Sequence, residues 1–415
     1  MKYDLVINNT KTVYTLKKGN VPRIGDELKN LSPNNGFSIA IKDGKIVEMG
    51  KNIDGYGEIE IDASKLIALP GFVDPHTHSV FGGNRANEWY RRQLGESYLS
   101  ILKSGGGIVD TVSKTRNLSR EEMIKSTKAK LNRMLLSGTT TVEVKSGYGL
   151  NHDTEIMMLE TAKELNKSDK FDIVSTYLGA HAIPREYREN REDYVKLVLD
   201  MIDEIKEREL AEFVDVFCEE GAFTVKESMK ILSKAKSLGF KLRIHADELA
   251  ESGGSVLAGE IGARSADHLL RISDRGMKAM IDGNVAAVLL PGTAFQMGGE
   301  HIPPVRKMID NGMIIALASD FNPGSCPIYS LPVIISLGVM LYKLTPEEAI
   351  SAVTINSAYV LDRHSEKGSL EQGKDADILL LDVNDIYEIP YWFGDMHVRY
   401  VIKNGKIVYG GDRYE

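Results

Sequence analysis

The chain has 415 residues, of which 42% are hydrophobic and 27% charged, and its formal net charge is −8. This is ordinary globular composition, long enough for a large core plus a smaller module, and it excludes a disordered chain. The acidic balance, without any Lys/Arg-dense run, excludes nucleic acid as a favoured partner but leaves room for a small anion in a local basic pocket. Cys218 and Cys326 are far apart and form no Cys-x-x-Cys pattern, so neither a disulfide framework nor a structural zinc site is expected, and a reducing cytoplasm fits. No apolar stretch follows Met1, so no secretory leader is expected, and no apolar run reaches the ~18 residues of a membrane span.

In chain order, residues 3–9 read as a strand. Residues 37–47 read as a hairpin about Asp43-Gly44, and residues 59–62 as a further strand. The far end matches: residues 376–382 form a buried strand run, and residues 398–409 a hairpin about Asn404-Gly405. Asp43-Gly-Lys-Ile-Val47 and Asn404-Gly-Lys-Ile-Val408 echo one another. Residues 1–65, read as free of helix, and 365–415 are therefore expected to build one composite β domain, a small β-sandwich that residues 66–364 interrupt. In that central part eight apolar runs (67–78, 139–146, 173–181, 214–222, 241–245, 265–268, 285–291 and 314–320) alternate with amphipathic stretches at 119–136, 153–166, 192–209, 225–238 and 273–282. Eight β/α units predict an α/β fold with a (β/α)8 TIM-type barrel. Residues 330–343 and 346–361 read as two closing helices.

Barrel enzymes carry their chemistry at the carboxyl ends of the strands. The first run ends in His76 and His78, which share one face of an extended strand and converge on one point. The second ends in Glu143 and Lys145, with Tyr148 beyond. His181 ends the third, Glu219 and Glu220 the fourth, and His245 the fifth, with Asp247 and Glu248 next. Asp267-His268 ends the sixth and Asp320 the eighth. Singly each has an ordinary explanation: His181 as a core imidazole, Asp320 as a helix cap, Glu143 and Lys145 as an ion pair. Together they point to a metal centre, since five of the nine histidines fall at these ends. Imidazole and carboxylate ligands suit zinc or iron better than magnesium or calcium. Three histidines and one aspartate leave room for a water whose pKa falls towards ~7. Glu248 can carry its proton, and His268 can polarise the attacked carbonyl.

At these residues the chain resembles the amidohydrolase superfamily. The matching features are Gly71-Phe-Val-Asp-Pro-His-Thr-His78, His245-Ala-Asp-Glu248, His268 on the sixth strand and Asp320 after Ala316-Leu-Ala-Ser. Binuclear members carry a bridging lysine on the fourth strand, and residues 213–220 contain none. The resemblance therefore implies the mononuclear branch, with one divalent or trivalent ion, zinc or iron, on His76, His78, His245 and Asp320.

Closer motifs are His76-Thr-His-Ser-Val-Phe-Gly-Gly-Asn-Arg85, Gly105-Gly-Gly-Ile-Val-Asp-Thr-Val112, Lys145-Ser-Gly-Tyr-Gly-Leu150, Gly179-Ala-His181, Glu220-Gly-Ala-Phe223 and Ser319-Asp-Phe-Asn-Pro-Gly-Ser325. These are similar, over nearly the whole chain, to the cyclic-amide hydrolases of histidine degradation. The implied reaction opens the ring C–N bond of 4-imidazolone-5-propanoate to give N-formimidoyl-L-glutamate. By the same resemblance Arg85 clamps the propionate carboxylate, and Tyr148, His181 and Glu248 contact substrate. Asn322, Gly324 and Ser325 contact substrate or product; the division of the base role between Glu248 and the ligand Asp320 is open, and the glycine run 105–107 reads either as part of a mobile loop over the site or as a plain turn. A cytoplasmic homodimer is the implied setting. A deaminase of a neutral ring shares the metal ligands, but it has no use for a carboxylate clamp, so Arg85, Tyr148 and the 322–325 loop argue against it.

Overall fold

The protein was analysed as a computed structural model, which describes residues 1–96, 100, 105–168 and 170–410. Eight strands, Phe72–Asp74, Thr139–Lys145, Asp172–Ala180, Phe213–Cys218, Lys241–Ala246, Ser265–His268, Ala286–Leu289 and Ile315–Leu317, form one sheet in sequence order, and each neighbouring pair is parallel. The ring closes just past the ends of its first and last strands. Thr77 bridges Phe321, the Asp320 N–H donates to the His76 carbonyl at 3.0 Å, and the His78 N–H donates to the Phe321 carbonyl at 3.0 Å. This is the (β/α)8 barrel expected from the alternating runs. The connecting helices begin where the sequence carries start signals: Ser119 and Glu122 form a reciprocal cap on Arg120–Leu136, as Thr224 and Glu227 do on Val225–Ser237.

Two further sheets pack as a β-sandwich. Four strands (Lys45–Gly50, Ser38–Lys42, Lys2–Asn8, Tyr56–Asp62) come from the N-terminal part. The other six, in order, are Lys406–Gly410, Val398–Lys403, Ile378–Leu381, Ile67–Pro70, Thr12–Tyr14 and Pro33–Asn35, drawn from both ends of the chain. Leu5, Ile7, Ile39, Ile41, Ala68, Ile378 and Leu380 share one buried cluster between them. The two echoing turns face each other. Asp43 and Asn404 take φ of 51° and 48°, followed by Gly44 and Gly405 at 76° and 74°, the left-handed pair that a two-residue hairpin requires. Ala376 links them, donating to the Gly44 carbonyl and accepting from the Gly405 N–H.

Three of the sequence readings differ in the structure. Residues 67–78 do not form one strand: Ile67–Pro70 belongs to the six-stranded sheet and Phe72–Asp74 to the barrel. Gly71 makes the transfer, because a side chain there would run into Thr140, and its N–H turns to the Asp377 carbonyl at 2.8 Å. The helix expected over 346–361 is broken into Pro346–Ala352 and Ile355–Val360, with the Val353 carbonyl turned to accept the Val73 N–H at 2.9 Å. The first 65 residues contain a short 3-10 turn, Gly25–Lys29, fixed where the Ser351 hydroxyl donates to the Leu28 carbonyl. Arg85 stands at the N-terminus of the helix Ala86–Gln93. Residues 411–415 of the expected β domain lie outside the described residues. No helix among the described residues is long and apolar enough to cross a membrane.

Candidate active site

Barrel closure brings His76 and His78 from the first strand against Asp320 from the last. The His76 and His78 Nε2 atoms are 3.3 Å apart, and each lies within 3.5 Å of Asp320 Oδ1. His245 Nε2, from the fifth strand, is 3.5 Å from His78 Nε2. Ligands at ~2.1 Å from a tetrahedral ion are separated by ~3.4 Å, so these spacings fit a first-row cation. The ring orientations fit as well. His76 Nδ1 is 2.6 Å from Asp267 Oδ2 and His245 Nδ1 is 3.1 Å from Asp215 Oδ1. An ionised carboxylate only accepts, so both Nδ1 atoms carry the proton and both Nε2 lone pairs face the centre. Burial holds the His76 and His78 pKa values well below the usual imidazole range, which keeps these rings neutral. At His245 burial pulls downward, but the Asp215 carboxylate outweighs it and the pKa rises. Burial also lifts Asp320 to about 6, an uncompensated charge that a cation would satisfy. His76, His78 and Asp320 form one potential ligand group, and His268 joins His76 and His245 in another, so His76 is common to both and His245 falls in the second.

Beneath the ligands lies a buried ionic cluster. Lys145 Nζ is 2.7 Å from both Glu143 Oε1 and Asp215 Oδ2, and all three side chains are fully buried. Arg243 reaches Glu143 at 2.9 Å and Asp267 at 2.7 Å. The pairing of Glu143 with Lys145 read from the sequence is present, but it is one edge of a larger array. Three carboxylates face two cations, leaving one formal negative charge directly under the imidazoles.

Above the ligands is a cavity of about 640 Å³. It is lined by His78, Arg85, Tyr148, His181, His245, Glu248, His268, Asp320, Asn322 and Ser325, among others. His76 sits below this lining and Gly324 beside it. A Cβ built on Gly324 would land on the Arg85 guanidinium, so glycine there is what lets Arg85 lie against the backbone. Asn322 uses its amide to shape the loop, accepting from the N–H groups of Gly324 and Ser325 at 2.8 Å and donating to the Asp320 carbonyl at 2.7 Å. His181 Nδ1 lies 2.9 Å from the Gly147 carbonyl, to which it donates, and its ring stacks on His78 with centroids 5.0 Å apart. Tyr148, next along that loop, is buried, which pushes its phenol above the usual range. Burial, with Asp320 adding to it, pushes Glu248 up to about 8, and its Oε1 is 3.5 Å from His268 Nδ1.

Thr293 escaped the sequence reading, and Glu219, read there only as a strand-end carboxylate, takes a supporting role. Glu219 accepts the N–H groups of Glu248 and Leu249, both at 3.0 Å, and so fixes the turn that presents Glu248. Thr293 donates to Asp320 Oδ2 at 2.5 Å, holding the oxygen that faces away from the histidines. Asp247, His268, Leu269 and Asp320 all have positive φ, from 50° to 75°, a clustering of backbone strain at strand ends that marks functional sites. Asp215 had a readable signal: on a strand ending at Cys218 it alternates inwards, and a carboxylate there faces the neighbouring histidine.

Comparison with known proteins agrees with this geometry. The profile of the Amidohydrolase family matches residues 67–408. The chain is 45% identical over 422 residues to the imidazolonepropionase of Alkaliphilus oremlandii (strain OhILAs), covering 98% of each chain. It is 47% identical over 406 residues to that of Thermoanaerobacter pseudethanolicus (strain ATCC 33223 / 39E), covering 97% of each. Among solved structures, a 5-methylcytosine deaminase from Klebsiella pneumoniae superimposes with a TM-score of 0.74 at 16% identity, over 99% of this chain and 98% of that one. An adenosine deaminase from Xanthomonas campestris with bound zinc gives 0.72 at 15%, over 98% and 93%. At such identities these two likenesses speak for the fold alone. On its relatives, its profile and its barrel, the chain belongs to the imidazolonepropionase family of amidohydrolases.

Proposed function

We propose that this enzyme hydrolyses the cyclic amide C–N bond of 4-imidazolone-5-propanoate, yielding N-formimidoyl-L-glutamate in histidine degradation. The observation that carries this reading is that the His76, His78 and Asp320 group, with His245 beside it, lies at the floor of a cavity that the Arg85 guanidinium also lines, which matches a small ring bearing a carboxylate. His76, His78, His245 and Asp320 would hold one zinc or iron ion. When bound, that ion supplies Lewis acidity to the ring carbonyl, lowers the pKa of a water towards ~7 and draws the Glu248 pKa down.

Arg85 grips the propionate and sets the ring over the ligand cluster. Tyr148 and His181 close one side of the ring, and Asn322, Gly324 and Ser325 form the wall behind the carboxylate. Glu248 takes the proton of the attacking water and returns it to the ring nitrogen as the C–N bond breaks. His268 steadies the charge that develops on the carbonyl oxygen. Asp320, held by Thr293, shares the base role. The same reading assigns a cytoplasmic homodimer and a composite β domain of residues 1–65 and 365–415 around the barrel of 66–364.

The test is direct: purified, metal-loaded protein mixed with freshly made 4-imidazolone-5-propanoate should remove its ultraviolet absorbance, and no decay would refute the assignment. Arg85→Ala should raise KM by roughly 10- to 100-fold, the worth of a charge-assisted contact, with kcat little changed. Gly324→Ala should mimic much of that loss by displacing the guanidinium. A KM within twofold of wild type in Gly324→Ala would mean that the Arg85 position does not matter.

A further inference from the structure

A second guanidinium shares this cavity. Arg92 lines it together with Arg85, and Arg92 donates to the Gly324 carbonyl at 3.2 Å. The two arginines thus flank one glycine. They also share one helix face: Arg85 caps Ala86–Gln93 and Arg92 lies seven residues on, two turns later. The Nε atoms of both are buried and have no hydrogen-bond partner among the described residues. Buried donors without acceptors are uncommon, and here both belong to side chains that line an open cavity. Glu88 is 3.7 Å from Arg85 Nε and already accepts the Gly107 N–H at 2.8 Å. Two guanidiniums and one carboxylate leave a single positive charge, which matches one monocarboxylate.

We propose that Arg92 is the second arm of the carboxylate clamp and a specificity-determining residue that contacts the substrate directly. This rests on the proposed function above. Arg85 lies against Gly324 where a side chain would project and Arg92 against its carbonyl, so both guanidiniums are positioned by one loop residue.

Arg92→Gln and Arg92→Ala test this, the first keeping an amide donor for the Gly324 carbonyl. Expected is a rise in KM for 4-imidazolone-5-propanoate of about 10- to 100-fold with kcat within about threefold. Calorimetric affinity for imidazole-4-propionate should fall as much, whereas that for its neutral propanamide should be the same in wild type and variants. A KM within twofold of wild type, or equal losses for carboxylate and amide, would overturn the clamp and leave Arg92 as a support for the loop. Failure of the wild type to consume the imidazolone would overturn the proposed function instead. The titrations then still decide Arg92: a wild-type preference for carboxylate over amide that Arg92→Gln cuts by about 10- to 100-fold supports it, and an unchanged preference rejects it.

Discussion

Glu248→Gln is expected to lower kcat by roughly 10²- to 10⁴-fold, the usual contribution of a positioned proton carrier, with KM changed only a few-fold. Glutamine keeps the size and most of the hydrogen bonding of the carboxyl, but it cannot accept and return a proton. The turn that presents residue 248 is fixed through its backbone by Glu219, so the substitution should not move it. The pH profile gives a second readout. A base works only when deprotonated, so wild-type kcat/KM should rise with pH through the Glu248 pKa. Burial and Asp320 push that pKa up to about 8 in the cation-free centre, and a bound cation lowers it. The rising limb should vanish in the variant. If Glu248→Gln keeps kcat within fivefold of wild type, with the limb intact, the base role moves to Asp320.

Much of this centre could be read from strand ends. His76, His78, His245, His268 and Asp320 stand out because parallel strands are apolar throughout, so a polar residue at the end of one marks the barrel mouth. Their holders were harder to see. Asp215 and Lys145 lie on different strands and meet only when the sheet curls, so no local pattern joins them. Arg92 illustrates the same limit. Its partner, Gly324, is more than 200 residues away, so no local pattern joins the two. The split at Gly71 was hidden because two buried strands in separate sheets read as one apolar run. The break after Ala352 was hidden because it answers a barrel strand, through Val353 and Val73, rather than any helix-stop residue of its own.

Lys145→Met should be the most damaging single change to stability outside the ligands, costing about 3–5 kcal/mol, as expected when one member of a buried ion pair is removed. Methionine matches the volume, so the loss is electrostatic. Lys145 is the cation shared by Glu143 and Asp215, and all three side chains are 0% exposed. Without it Arg243 alone faces three carboxylates. Two consequences separate this from a generic packing defect. Glu143→Gln added to Lys145→Met restores the charge balance and should recover part of the loss, since glutamine can still accept from Thr176 and Arg243. Divalent ions should also stabilise the single variant more than the wild type, because the excess negative charge now lies directly beneath His76 and His245, whose Nδ1 atoms are held by Asp267 and Asp215. Thermal unfolding with and without added zinc measures both. If Lys145→Met unfolds at the wild-type temperature, the cluster does not depend on that ammonium for its balance. If the double variant is less stable than the single, the damage lies in packing and not in charge.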